Sequence, residues 1–399
     1  MSIEASIPPA AATGRPPAVL QILPRLVSGG AERGTVEIAG ALIEAGWSAY
    51  VASAGGPLER DISRAGVKHL TLPLASKNPV VMRRNATKLV RLIRQFPIDI
   101  VHARSRAPAW SVWAAARATG CRFVTTFHNA YGARTALKMR YNSVMARGDR
   151  VIAISDFVAD HAASTYGIGP ERLRTIPRGV DLAIFDPNRV GAQRIIDLTR
   201  QWRLPDGVPV VMLPGRLTRW KGALDFAAAV AKLGRPDICC VLVGAEQRRG
   251  FRHELEGAIR ERGLAGHFRI VGECRDMPAA YMLADTVVSA SRNPEGFGRV
   301  IAEAQAMGRP VVATDHGGAR ETVVPGVTGW LVQPRDPAAL AAAIGEALSL
   351  TTDERQALAR RAIANIAAGF TRELMCARTI SVYEELLFGQ SAEIDAAAQ

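Results

Sequence analysis

From Ala18 onward, short runs rich in β-branched residues alternate with Ala- and Leu-rich stretches of helical period. The pattern predicts strands at 18–26, 48–54, 68–74, 98–104, 122–128 and 150–155, with amphipathic segments such as 32–45, 79–96 and 108–119 between them. Alternation at this spacing means βαβ units, hence a parallel sheet with helices on both faces. The pattern breaks over 167–207, where Gly, Pro and Asp gather in Tyr166-Gly167-Ile168-Gly169-Pro170, Ile176-Pro177-Arg178-Gly179-Val180-Asp181 and Leu204-Pro205-Asp206-Gly207, which reads as a linker. A second series follows, with strands near 208–214, 238–244, 268–272, 286–290, 310–314 and 329–333 and closing helices near 336–349, 352–369 and 371–388. The expected fold class is α/β, with two Rossmann-like doubly wound domains facing each other across a cleft and ligands beyond the carboxyl ends of the strands. The predicted division is a loose tail at 1–17, domains at 18–185 and 186–370, and at 371–399 a helix packing back toward the first domain, with a tail.

A length of 399 residues exceeds one ordinary core, and 48% apolar with 22% charged residues excludes a disordered chain. No apolar run approaches the ~20 residues of a membrane span, and Met1–Pro17 lacks the basic and apolar regions of a signal peptide. The cysteines at 121, 239, 240, 274 and 376 form neither a CxxC pattern nor a disulfide framework, so small buried thiols in a reducing, cytoplasmic setting are expected. Charge is uneven. Residues 1–150 hold 21 Lys/Arg and 8 Asp/Glu, whereas 151–399 hold 29 of each, so the net +13 lies entirely in the first part. Such a field suits nucleic acid, an anionic membrane surface or a phosphorylated substrate, and an Arg-rich proteome produces the same count.

The first strand–turn–helix carries Ser28-Gly29-Gly30-Ala31-Glu32, where the backbone can approach a ligand and the helix start offers amides to an anion. A plain tight turn explains the pair equally well. The spacing is GGxxxG through Gly34, and Ser53-Ala54-Gly55-Gly56 ends the second strand without an acidic residue, which disfavours a dinucleotide site. Arg216 ends the first strand of the second series, and Lys221 starts a helix five residues later. Two cations there suit a diphosphate leaving group. The strongest signal is Glu295-Gly296-Phe297-Gly298-Arg299-Val300-Ile301-Ala302-Glu303. Glu295 is expected to take sugar hydroxyls, the amides of Gly298, Arg299 and Val300 the phosphates, and Glu303 the ribose hydroxyls, each charge-assisted bond contributing about 1.5–3 kcal/mol.

These motifs resemble the GT-B glycosyltransferases of family 4, which are retaining enzymes. The likeness runs along nearly the whole chain: Gly29-Gly30-Ala31-Glu32, Phe127-His128, Ile176-Pro177 with Gly179-Val180-Asp181, Gly215-Arg216-Leu217, Lys221-Gly222, Glu295 with Glu303, Gly317-Gly318 with Glu321, and Gly326 with Gly329. The resemblance implies that Arg216 and Lys221 hold the donor diphosphate, Glu295 the donor sugar and Glu303 the ribose. It also places Gly29-Gly30 under the transfer centre and lets His128 reach the sugar. It implies a UDP- or GDP-linked donor and no cofactor, with the departing diphosphate helping to take the acceptor proton; no metal is expected either, since no acidic pair with DxD spacing sits at a strand end. Arg178 stands where the family usually has Asn, and Asn129 follows His128 in place of an acidic residue. Asp99-Ile100-Val101-His102-Ala103-Arg104-Ser105-Arg106 is similar to members that build lipopolysaccharide cores.

Read alone, His128 at a strand end is a satisfied structural residue; its family position makes it a site residue, while His102 stays structural. The segment Met82–Phe96 places Arg84, Lys88 and Arg91 on one helical face, either solvated or docked on anionic lipid. With Arg104 and Arg106 they form the candidate acceptor and membrane group. A lipid-linked or phosphorylated glycan acceptor and an anionic membrane surface are the expected partners, nucleic acid is not, and the expected location is the cytoplasm or the inner face of its membrane. Two rivals keep the same motifs: a non-catalytic nucleotide-sugar or polyanion binder, and a GT-B epimerase or phosphorylase.

Overall fold

A strand buried on both faces needs an unbroken apolar run, and the interior strands have one: Ala18–Ile22 and Cys239–Val243 are buried at every position. A computed structural model describes residues 14–27, 29–132, 135–247 and 249–389. Ser28, most of the predicted N-terminal tail and the stretch 390–399 lie outside those residues. In the first sheet the strands are β1 (Ala18–Ile22), β2 (Ser48–Ser53), β3 (Lys68–Thr71), β4 (Ile100–Ala103), β5 (Arg122–Phe127), β6 (Arg150–Ala153) and β7 (Leu173–Thr175), in spatial order 3-2-1-4-5-6-7. The second contains β8 (Val210–Pro214), β9 (Cys239–Val243), β10 (Phe268–Val271), β11 (Thr286–Ser289), β12 (Val311–Thr314) and β13 (Gly329–Val332), in order 10-9-8-11-12-13. Both sheets are parallel; Leu20 of β1, for example, lies between Tyr50 and Val101.

The chain divides into two compact units, Met1–Gly179 with Arg372–Gln399, and Val180–Thr371. The division falls six residues before the predicted 185/186 boundary, because Val180 already bridges to Thr371 in the second unit. The closing helix Arg372–Phe388 belongs to the first unit, where Met375, Cys376, Val382 and Tyr383 join a core that includes Val19, Ile38, Val51 and Ile100. The other core gathers Phe226, Leu242, Leu255, Val288 and Ile344.

The stretch read as a linker is built structure. It contains the edge strand β7, whose Leu-Arg-Thr sequence lacks an apolar run, and the amphipathic helix Ala192–Trp202, anchored by Leu198 and Trp202. The Gly and Pro residues there punctuate short elements. All five cysteines are free thiols, and burial pushes Cys121 up to about 11 and Cys376 up to about 12, the condition of inert core thiols. Among the described residues no helix is long and apolar enough to cross a membrane.

Candidate active site

In each sheet the strand order reverses once, between β1 and β4 and between β8 and β11. Loops leaving neighbouring strands in opposite directions open a crevice at such a point. Gly29 and Gly30 follow β1 at the first reversal, and Arg216, Lys221 and Glu295 lie at the second.

In the second unit, the chain leaves β8 through Gly215 and Arg216, the latter exposed, and makes one 3-10 turn at Arg219–Lys221. The chain leaving β11 carries Ser291 to Glu295. Lys221 Nζ lies 2.7 Å from Glu295 Oε1, and the Ser291 hydroxyl donates to the same oxygen. The cation expected on the diphosphate and the carboxylate expected on the sugar are therefore one ion pair, with side chains 11% and 16% exposed. Burial alone would raise the Glu295 carboxyl, but the Lys221 charge, the bonds from Lys221 and Ser291, and His316 together hold it below its ordinary value.

Neighbouring contacts fix this loop. Arg292 donates twice to Asp225 at 2.6 Å, and its amide donates to Trp220 O at 2.7 Å. The Gly318 amide donates to Glu295 O at 3.0 Å, and a Cβ at Gly317 would stand 2.4 Å from that same oxygen. Here the Gly317-Gly318 motif supplies close approach. His316 was not singled out from the sequence. Its Nε2 donates to Ser291 O at 2.7 Å, and its Nδ1 is buried with no hydrogen-bond partner among the described residues.

The helix Arg299–Ala306 starts at Gly298 with no side-chain cap; the Ile301 amide donates to Gly298 O at 2.9 Å, and the Arg299 and Val300 amides ahead of it face the helix start. Glu303 accepts from Tyr281 OH at 3.0 Å and from Arg299 Nε at 3.2 Å. Gly296 and Val300 lie in the same loop and first turn, whereas Phe297 is 3% exposed and packs at a tilt against Phe370. The Phe297 side chain is thus an anchor, and only its backbone remains available to a donor.

In the first unit, Gly29 is extended and caps the helix Gly30–Glu44 without a side chain. His128 follows β5, and its Nδ1 lies 3.1 Å from Arg178 Nη2. His102 bonds Tyr383 OH at 2.6 Å and Thr126 Oγ1 at 2.7 Å, a satisfied core residue as expected.

The acceptor and membrane group separates. Arg84, Lys88 and Arg91 are exposed on the helix Pro79–Gln95. Arg104 is 2% exposed, so it cannot meet a membrane surface. Arg106 is half-buried, its guanidinium 4.0 Å from the Tyr131 ring centre and bonded to Asn142. No sequence signal distinguishes Arg104 from a surface cation; Tyr383 and Cys376 of the distant closing helix are among the groups around it.

Residues 28–184 match the family described as Glycosyltransferase Family 4, and residues 195–365 match Glycosyl transferases group 1. A glycosyltransferase from Rickettsia africae superposes with a TM-score of 0.87 at 36% identity, covering 94% of this chain and 100% of that one. The chain belongs to glycosyltransferase family 4. The two Rossmann-like parallel-sheet units match the GT-B glycosyltransferase structures. HepE from Anabaena, solved in complex with UDP and glucose, superposes with a TM-score of 0.81 at 24% identity, covering 92% of this chain and 99% of that one, a likeness of fold. D-inositol 3-phosphate glycosyltransferase 1 of Catenulispora acidiphila is 33% identical over 259 residues, 62% of this chain. This family 4 chain spans 60% of that relative's length.

Proposed function

We propose that this family 4 member transfers a sugar from a UDP- or GDP-linked donor to a phosphorylated or lipid-linked glycan acceptor, with retention of configuration. The observation that carries the reading is the Lys221–Glu295 pair at the strand-order reversal of the second sheet, beside the uncapped helix start at Arg299. When a diphosphate arrives, Lys221 and Arg216 supply positive charge where the leaving group becomes more negative, and the first-turn amides add to it. Glu295 then accepts from sugar hydroxyls and Glu303 from the ribose. Both carboxylates are committed to the donor in this reading, and the family resemblance implies same-face attack with the leaving phosphate as proton acceptor. HepE's complex with UDP and glucose supports a UDP-linked donor.

The acceptor reading is assembly of an envelope glycan, in lipopolysaccharide core or a related polysaccharide. The Catenulispora relative's name favours a second reading, a phosphorylated cyclitol acceptor. A panel of UDP- and GDP-sugars, assayed with and without each acceptor class by release of free nucleotide, tests both. Acceptor-dependent release is expected for one donor, and it should survive EDTA, because side-chain cations and amides neutralise the diphosphate. Release that needs no acceptor, or that EDTA abolishes and Mg²⁺ restores, overturns the proposal.

We further propose that the helix Pro79–Gln95 meets an anionic lipid surface. Arg83, Arg84, Lys88, Arg91 and Arg94 are all exposed on it, and Val80 is 59% exposed at its start. Each cation near such a surface contributes about 1 kcal/mol, less as salt rises. Replacing Arg84, Lys88 and Arg91 with Ser should release the protein from phosphatidylserine vesicles at low salt and leave UDP affinity unchanged. A wild-type protein that ignores the vesicles defeats this reading, as does a triple variant that still sediments with them.

A further inference from the structure

Arg178 is 5% exposed and reaches back to the start of the first helix. Its Nη2 lies 2.9 Å from Gly30 O and 3.1 Å from His128 Nδ1. A guanidinium has donors only, so in this contact Nδ1 must be the acceptor. The ring proton of a neutral His128 then sits on Nε2. That nitrogen is buried and has no hydrogen-bond partner among the described residues.

We infer that Arg178 is a positioning residue that locks His128 in the neutral Nε2–H tautomer, so the ring offers a substrate hydroxyl oxygen a donor and acts as neither base nor acid. The hydroxyl as target rests on the proposed transfer reaction; the locked tautomer does not. The groups facing the ring agree with it. Arg178, Arg104 and His102 surround it, the Arg104 backbone carbonyl is an acceptor beside the ring, and the Tyr131 hydroxyl accepts from the His128 amide at 3.2 Å. Burial first, and then the Arg178 and Arg104 charges, hold the imidazole well below its ordinary value, which keeps a second proton off.

The sequence around this contact makes room for it. A Cβ at Gly34, one turn into the helix Gly30–Glu44, would stand 2.1 Å from Arg178 Nη1. The obstacle is the far end of a flexible side chain, so Gly34→Ala moves the guanidinium without disturbing the helix. Gly34, the third glycine of the GGxxxG spacing, therefore serves Arg178. The Asn usual at position 178 has both a donor and an acceptor and would leave the imidazole free to choose its tautomer.

Long-range ¹H–¹⁵N correlation spectra of the histidine-labelled full chain, recorded between about pH 5 and pH 8, decide the matter. Wild-type His128 is expected to show a protonated Nε2 and a bare Nδ1 throughout. Arg178→Lys, which still donates, should preserve that pattern. Arg178→Ala and Gly34→Ala should give mixed tautomers. A wild-type ring protonated on Nδ1, a wild-type ring that titrates, or an unchanged pattern in Gly34→Ala overturns the inference. If Arg178→Ala does not fold, the wild-type and Gly34→Ala spectra still decide. No substrate enters the measurement, so this inference and the transfer reaction can fail separately.

Discussion

Glu295→Gln and Lys221→Ala should each lower sugar transfer about a hundredfold, roughly 3 kcal/mol of transition-state stabilisation. The two groups share one ion pair, so the variants should not behave as independent losses. Removing Lys221 leaves Glu295 without its cation in a mostly buried site. Breaking a fully buried pair costs about 3–5 kcal/mol, and with the residual exposure here about half of that is expected. Glu295→Gln keeps a neutral partner for Lys221 and Ser291 and should be the milder change in stability. The pH dependence has a definite sign. A carboxyl held below its ordinary value stabilises the fold above that value, and the contribution is lost as pH falls through its folded-state pKa. Without Lys221 the acid limb of a stability–pH curve should therefore move to higher pH. Wild-type transfer rates in both variants, or an unmoved acid limb in Lys221→Ala, would remove the pair from the site.

Gly222→Ala should cost at least about 3 kcal/mol, because two penalties coincide there. Gly222 has φ +77, and a Cβ would stand 1.7 Å from the Ala290 carbonyl oxygen at the end of β11. The second obstacle is backbone, so the loops carrying Lys221 and Glu295 must move apart. Gly234 at the other end of the same helix, Ala223–Leu233, is the internal control. Its φ is +63 and a Cβ there meets nothing within 4 Å, so Gly234→Ala carries only the conformational cost, about 1–2 kcal/mol. Urea midpoints of the two variants should differ accordingly, and UDP affinity should fall only in Gly222→Ala. Equal midpoints would mean that the close approach to Ala290 does not matter.

Much of this site was legible in the residues because the strands are continuous apolar runs and their loops begin with glycine or charge. β8 and β11 could be placed within two residues, and with them Lys221 and Glu295. Their mutual contact could not, since 74 residues separate them and both had plausible separate duties. β7 escaped because an edge strand of Leu-Arg-Thr is half-buried and carries no periodic signal. The helix Ala192–Trp202 escaped because the turn residues on either side outweighed its amphipathic face. Arg178 was legible only as a departure from the usual Asn. Its contact with His128 depends on a loop folding back across the ends of β1 and β5. Arg104 and Arg106 show the opposite error: charge was read as exposure, but the packed closing helix and the Tyr131 ring enclose them.

The return of Arg372–Phe388 to the first unit orders events during synthesis. The helix that supplies Tyr383 to His102 and closes the Trp47 and Ile38 side of the core leaves the ribosome after all of Val180–Thr371. At about 5–20 residues per second, the first sheet waits roughly ten to forty seconds with that face uncovered. The second unit, continuous in sequence, can complete its core in the same interval. The newborn chain therefore passes through a period in which one half is finished and the half begun first is still open.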